Sequence, residues 1–131
     1  MLVVPRDHAL TQRATIALSE VVDFAFVGLV EGSALQEHIA HHARRLGKRL
    51  SYRIRLRSFD SVCRVVGQGI GVGIVPQAVA ARCARSAKVK RIALTDAWAA
   101  RNLVLCIRRL DKLPIHAQQL VQHVLAAGPR R

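Results

Sequence analysis

The amino-acid sequence predicts an α/β fold in which helices flank a mostly parallel sheet. Short apolar segments of strand length alternate along the chain with longer segments of helical periodicity. The clearest strand, ending at Ile74 to Pro76, is apolar on both faces and has a predicted helix on either side, which is typical of the middle of a parallel sheet. At 131 residues, the chain amounts to one domain, or to slightly more than one lobe of a two-lobed protein.

The first part of the chain contains three predicted strands, at 2–4, 24–29 and 50–57, with a brief helix at 18–22. A longer helix starts at Ser33, where Gln36 completes a capping-box pattern, and stops at Gly47. Its predicted inward stripe consists of Leu35, Ile39, Ala43 and Leu46. In the third strand the apolar residues alternate with arginines, which predicts one buried and one solvated face: Leu50, Tyr52, Ile54 and Leu56 against Arg53, Arg55 and Arg57.

The central helix is predicted to begin after Ser58 and to bury one face. That face consists of Phe59, Val62, Cys63 and Val66. Four alternating glycines from Gly67 to Gly73 then end the helix and lead into the central strand. They do not form a nucleotide-binding loop, because the glycines of such a loop follow a strand and open a helix.

The last part of the chain continues with a helix at 77–85, a strand at 89–94 and a turn at 96–98. A sixth strand is predicted from Asn102 to Ile107, followed by a helix that Pro114 opens and that Gly128 and Pro129 end. The predicted inward face of this helix consists of Ala117, Leu120, Val121, Val124 and Leu125.

The net charge is +13, and the basic residues are densest between Arg44 and Arg57. Basic proteins often bind nucleic acid or acidic membranes, but only one Trp, one Tyr and three Phe are present to stack on bases. A solvated face is therefore the favoured interpretation. No apolar run reaches the length of a membrane span, and the first residues do not read as a secretory signal, so we expect no membrane partner and a cytoplasmic location.

No catalytic, metal or cofactor motif is evident. The eight acidic residues are dispersed, and Ser33 lacks the context of a nucleophilic serine, which predicts that the protein is not an enzyme. Cys63, Cys83 and Cys106 lie in apolar segments and are predicted to be buried, inert thiols. His38 and His42 have the spacing of a metal-binding pair but lack a third ligand, so surface or interface histidines are favoured and no metal or cofactor is expected.

Ligands of open α/β sheets bind beyond the carboxyl ends of the strands, near helix N-termini that attract anions. Two such ends are predicted here. One consists of Glu31, Gly32 and Ser33, and the other of Ser58 and Phe59. We expect them to hold a small anion, with Phe59 as an apolar wall. The alternative, equally compatible with the spacing, is that Ser33 and Ser58 are ordinary helix caps.

The sequence resembles the C-terminal part of the effector-binding region of LysR-type transcriptional regulators. The segments that carry the resemblance are LVVPRDHAL, VGLVEGSALQEHI, RSFDSVCRVVGQGIGVGIVP, IALTDAWAARNLVLCIRR and LPIHAQQLVQHVLAA. The resemblance covers essentially the whole chain. It implies a truncated, periplasmic-binding-protein-like (type II) fold, in which two α/β lobes enclose a small effector.

The resemblance also implies an organisation and a function. Residues 1–100 would form the second regulatory lobe, and residues 101–131 the return strand and C-terminal helix that belong to the first lobe. Glu31, Gly32, Ser33, Ser58 and Phe59 would face the effector. Dimerisation would involve helices such as the one at 33–46, and DNA would be bound only through a helix-turn-helix domain outside this chain. Two other functions stay open, a stand-alone solute-binding lobe and a basic nucleic-acid-binding module.

Overall fold

A computed structural model describes residues 1–128 of the chain, which divide into two compact units, 1–100 and 101–128. The strands are β1 Leu2–Pro5, β2 Thr15–Ile16, β3 Ala25–Leu29, β4 Ser51–Leu56, β5 Gly73–Ile74 and β6 Val89–Leu94. The helices are α1 Leu18–Val21, α2 Ala34–Arg45, α3 Phe59–Gly67, α4 Gln77–Ser86 and α5 Ile115–Ala126. Three 3-10 turns cover Ala9–Gln12, Ala97–Ala99 and Leu110–Lys112. All of these helices were predicted, whereas the two-residue β2 was not.

The strands of the first unit form one sheet of four, in the order β2-β6-β1-β5, and a pair, β3-β4. Val72, just before β5, joins the two through a parallel bridge to Phe26, in which Val27 N donates to Val72 O at 2.8 Å and Val72 N to Ala25 O at 2.9 Å. The predicted central position of β5 is thus confirmed.

The sheet around β5 is mixed, because β1 runs antiparallel to both β5 and β6, so the parallel surroundings predicted for β5 are found on its β3 side and not on its β1 side. The other pairs, β2 with β6 and β3 with β4, are parallel. An apolar sequence on both faces identifies a central strand but carries no information about its direction. The carboxyl ends of β2 to β6 consequently lie at one edge of the sheet, and that of β1 lies at the opposite edge.

The core has two parts, one on each face of the sheet, and β1 contributes to both because its side chains alternate. One part contains Leu2, Val4, Ile16, Leu18, Phe26, Ile39 and Ile92. The other contains Val3, Val27, Val62, Cys63, Val66, Ala80, Cys83 and Val89. The predicted inward face of α3 is confirmed for Val62, Cys63 and Val66, while Phe59 is half-buried.

The bridge between the two sheets requires a glycine at position 71. A Cβ there would lie 2.5 Å from the carbonyl oxygen of Ala25 and 3.1 Å from its carbon, so the backbones could not approach as they do. Gly71 therefore serves the close approach that a glycine inside a strand segment commonly marks.

Helix α2 confirms its predicted start and most of its inward stripe, since Ile39 and Ala43 are buried. Leu46 was predicted to point inward but is 46% exposed. The helix stops at Arg45, so that Leu46 is the C-cap residue and leaves the helical stripe. Gly47 follows with φ of +71°, the left-handed conformation that glycine adopts readily at the end of a helix.

The predicted alternation of buried and solvated residues along β4 is wrong. A β-bulge at Arg53 shifts the register, so that Phe26 pairs with Tyr52 but Val27 with Ile54. Tyr52 therefore lies on the α2 side of the sheet with Phe26, whereas Ile54 lies on the α3 side and is 40% exposed. The bulge also places Arg55 opposite Gly28, on the same side as Tyr52.

The second unit departs from its predicted structure in its first half. Within residues 1–128, the segment 102–107 belongs to none of the strands, and its side chains are exposed, including Cys106, which was predicted to be buried. An apolar run forms a strand only where a neighbouring strand pairs its backbone N–H and C=O groups in a ladder. Helix α5 is confirmed, but of its predicted inward face only Val121 is buried, and Leu120, Val124 and Leu125 are exposed. Pro129 lies outside the described residues.

Across residues 1–128, none of the helices is both long enough and apolar enough to cross a lipid bilayer.

Candidate functional site

The loops that follow β3 and β4 meet at one edge of the sheet. The two strands are parallel, and beyond their ends Val30 N donates to Leu56 O at 2.9 Å. Residues 31–33 and 58–59 consequently lie at the same edge, where α2 and α3 both begin. The structure thus brings the two halves of the predicted site to neighbouring positions.

Both serines of the predicted site cap their helices. Ser33 Oγ accepts from Gln36 N, and Ser58 Oγ accepts from Ser61 N, each at 3.2 Å. The Ser58 hydroxyl also donates to Ser61 Oγ at 2.9 Å. The capping interpretation is therefore correct for both residues. Each serine accepts from one backbone N–H, and the other first-turn N–H groups of α2 and α3 face the same edge of the sheet. Such groups attract anions, particularly when two helices present them together.

The capping box predicted from Ser33 and Gln36 is only half formed. The Gln36 side chain does not return to the backbone of Ser33, and its Oε1 instead accepts from Leu29 N at 3.1 Å. This bond satisfies a backbone N–H at the end of β3, and Gln36 is buried. Gln36 thereby holds the first turn of α2 against the strand that precedes it.

The other half of the edge is anchored by Asp60 in the first turn of α3. Its carboxylate accepts from Arg82 at 3.0 and 3.1 Å and from Cys83 Sγ at 3.0 Å, which ties α3 to α4. The Cys83 hydrogen bond and the Arg82 guanidinium lower the pKa of Asp60. Phe59 is half-buried against the core, so it offers only part of its ring as the predicted apolar wall.

A cleft of about 510 Å³ extends from this edge between α2 and β4, and we call it the β4 cleft. Glu31 and Gly32 of the predicted site line it, whereas Ser33, Ser58 and Phe59 are not among its lining residues. The remaining lining residues are Gln36, Glu37, Ala40, Arg44, Arg49, Leu50, Tyr52 and Arg55. The cleft thus contains three arginines and two glutamates.

The Arg55 side chain is held in place within the β4 cleft. Its guanidinium carbon lies 4.1 Å from the centre of the Tyr52 ring, and its Nη1 donates to Leu29 O at 3.2 Å. The Glu31 carboxylate lies 3.6 Å from Arg55 Nη2. Burial raises the pKa of Tyr52, whose ring fills the space that a Cβ at Gly28 would need. These contacts give the cleft a fixed cation and an adjacent carboxylate, and neither Tyr52 nor Arg55 was predicted as a site residue.

His38 and His42 of α2 lie against Trp98 rather than in a metal site. The His42 ring stacks on the indole at 4.7 Å, and His38 Nε2 lies 3.4 Å from Trp98 O. Burial, followed by the charges of His38 and His41, lowers the pKa of His42. Among residues 1–128, no group of three His, Cys, Asp or Glu side chains is arranged to hold a metal ion. The pair thus anchors α2 to the 3-10 turn that ends the first unit.

The family of the chain follows from a comparison of its sequence with known families. Residues 1–129 match the LysR substrate binding domain. The chain belongs to this family. LysR substrate-binding domains have the periplasmic-binding-protein-like (type II) fold, which confirms the fold class predicted from the sequence.

Three similar proteins show how much of a LysR-type regulator this chain covers. The uncharacterized HTH-type transcriptional regulator MJ0300 of Methanocaldococcus jannaschii is 26% identical over 117 residues, which are 87% of this chain and 40% of that protein. The regulatory domain of CcmR from Synechocystis PCC6803, solved with 2-PG, has a TM-score of 0.79 at 17% sequence identity, and the match covers 98% of this chain and 62% of the CcmR chain. The effector-binding domain of QuiR, solved with shikimate, has a TM-score of 0.63 at 18% sequence identity, and the match covers 72% of this chain and 44% of the QuiR chain. The chain thus spans less than two thirds of each of these relatives.

Proposed function

We propose that this chain is the effector-sensing part of a LysR-type transcription regulator, and that it binds a small anion where β3 and β4 end. Glu31, Gly32, Ser33, Ser58 and Phe59 form the side of the site that this chain provides. The bound molecule shifts the population between open and closed arrangements of two lobes, and a DNA-binding part outside this chain responds to the shift. The chain binds its effector without transforming it, in the cytoplasm.

One observation carries the proposal: the hydrogen bond from Val30 N to Leu56 O sets two capped helix N-termini side by side at one sheet edge. A carboxylate or phosphate placed there would receive N–H groups from both helices, and the two helix dipoles would favour its charge. The relatives solved with 2-PG and with shikimate support a small effector of this kind.

The two units of the chain belong to different lobes in this proposal. We assign residues 1–100 to the second regulatory lobe and residues 101–131 to the first lobe of the intact regulator. The apolar side chains that α5 exposes, Leu120, Val124 and Leu125, would then be covered by other parts of the first lobe or by a second copy of the chain. In the isolated chain we expect a second copy to cover them, and therefore self-association, because exposed apolar surface is costly in water.

The experiment separates anion binding from helix capping by replacing Ser33 and Ser58 together with aspartate. Aspartate is a good N-cap residue and suits the helix dipole, so we expect the free energy of unfolding to stay within about 0.5 kcal/mol. Its negative charge repels an anion at the same place, so we expect the affinity for 2-PG and for shikimate to fall at least about tenfold. Calorimetric titration measures the affinities, and urea denaturation measures stability.

Gln68→Glu, Ser86→Asp is the matched control, because it also adds two negative charges, at the exposed C-terminal ends of α3 and α4. We expect this variant to retain its affinity for both probes. If the control weakens binding as much as the serine replacements do, the effect is a general one of net charge. If S33D/S58D binds both probes as the original chain does, the proposed site is wrong.

A further inference from the structure

A second cleft, of about 630 Å³, lies at the opposite edge of the sheet from the proposed effector site, and we call it the distal cleft. It is located where β1 ends and β6 begins, since Pro5 pairs with Val89. On the other side of β6 from β1, β2 pairs with Ala93 and Leu94, so within residues 1–128 no strand pairs with the first residues of β6 on that side. The 3-10 turn at Ala9–Gln12 and the end of α4 complete the walls.

Four basic side chains line the distal cleft: Arg6, Arg85, Lys90 and Arg91. Gln12 also lines it and adds an amide that can donate hydrogen bonds, whereas the Thr11 hydroxyl in its wall already donates to His8 O at 2.8 Å. Among the described residues, 1–128, no aspartate or glutamate lines the cleft. Within residues 1–128, none of the four cations forms an ion pair.

Of these four cations, Arg85 has a structural role, whereas Arg6, Lys90 and Arg91 make few contacts within the fold. Arg85 lies in the last turn of α4, where it complements the helix dipole. Arg6 makes one long contact, from Nη2 to Ala84 O at 3.5 Å. Lys90 and Arg91 are exposed next to each other on β6 and form no side-chain hydrogen bond with other residues of the range 1–128. Cations that line one cleft without a carboxylate among them repel each other, and a bound anion would reduce that repulsion.

We propose that the distal cleft binds a compact, multiply charged anion of the phosphate class, such as a diphosphate or a phosphorylated small molecule. Four cations and the Gln12 amide line it, which suits an anion with several acceptor oxygens. The cleft is concave, so it encloses a compact ligand better than it follows the backbone of a nucleic acid duplex. This site is separate from the proposed effector site, so either proposal can fail while the other holds.

The test is a calorimetric titration of the purified chain with inorganic pyrophosphate at constant ionic strength. The variant Arg85→Gln, Lys90→Gln removes two cations from the distal cleft, and we expect its dissociation constant to rise at least about tenfold. The control Arg45→Gln, Arg53→Gln removes two exposed cations elsewhere on the first unit. We expect the control to change the dissociation constant less than about twofold, because charges beyond a Debye length are screened.

Equal weakening in the two double variants would overturn the proposal, because it would mean that pyrophosphate responds only to the net charge. Absence of pyrophosphate binding to the original chain would overturn it as well. A 20-base-pair DNA duplex is titrated in parallel. Duplex binding that depends on Arg85 and Lys90, in a chain that does not bind pyrophosphate, would instead assign the cleft to a nucleic acid backbone.

Discussion

The two units of the chain use similar aliphatic side chains in opposite ways. In the first unit, Leu2, Ile16 and Ile92 are at most 1% exposed, and the strands pack between helices on both faces. In the second unit, Leu103 is fully exposed, and Leu120 and Leu125 are more than 60% exposed. Apolar composition therefore does not determine burial in this chain, because burial also needs a partner surface. The difference predicts contrasting behaviour of the two units in solution, and two measurements can test it.

The largest expected contrast is in the reactivity of the cysteines. Burial raises the pKa of Cys63 to about 12 and also raises the pKa of Cys83, whereas Cys106 of the second unit is exposed. The thiolate is the reactive form, so we expect iodoacetamide at pH 8 to alkylate Cys106 at least about 1,000-fold faster than either buried thiol. Peptide mapping by mass spectrometry measures each rate.

Two controls accompany the alkylation experiment. Cys106→Ser should abolish the fast reaction, and unfolding in urea should bring all three thiols to similar rates. Comparable rates for the three cysteines in the folded chain would break the contrast between the units, because they would show that the interior of the first unit opens readily.

A smaller contrast is expected from truncating one aliphatic side chain in each unit. Ile92→Ala removes a fully buried side chain from β6, and we expect it to lower the free energy of unfolding by about 3 kcal/mol. Leu120→Ala shortens a side chain that is 63% exposed, and we expect a change within about 0.5 kcal/mol. Urea denaturation of dilute samples measures both values. A loss of more than 2 kcal/mol from Leu120→Ala would show that α5 is packed in solution.

Local patterns in the sequence were sufficient for much of the fold. The helical periodicity of Val62, Cys63 and Val66 predicted the buried face of α3, and Ser33 and Ser58 identified the starts of α2 and α3. These features depend on residues within one or two turns of each other, so the sequence contains the whole of the signal.

The errors concern interactions between segments that are distant in sequence. The bulge at Arg53 depends on how β4 aligns with β3, and it alone decides that Tyr52 and Ile54 lie on opposite sides. The strand β2 is two residues long, and in the described part of the chain it pairs with β6 alone. The segment 102–107 has the composition of a strand, but composition does not supply the neighbouring strand that it needs.

The candidate site was predicted only in part for the same reason. Glu31, Gly32 and Ser33 follow a predicted strand, which is a local signal, and the structure places them beside Ser58 and Phe59. The lining of the β4 cleft by Tyr52 and Arg55 depends on the bulge. One signal could have indicated that lining: Gly28 interrupts a buried strand, and a glycine there often makes room for a neighbouring ring.

The most direct test of the central claim, that the ends of β3 and β4 bind the effector, is an NMR titration of the isotope-labelled chain with 2-PG. We predict that the largest changes in amide chemical shift occur at residues 31–35 and 58–61, where the two helices begin. Saturating shifts confined to other parts of the chain, with those two segments unchanged, would contradict the account.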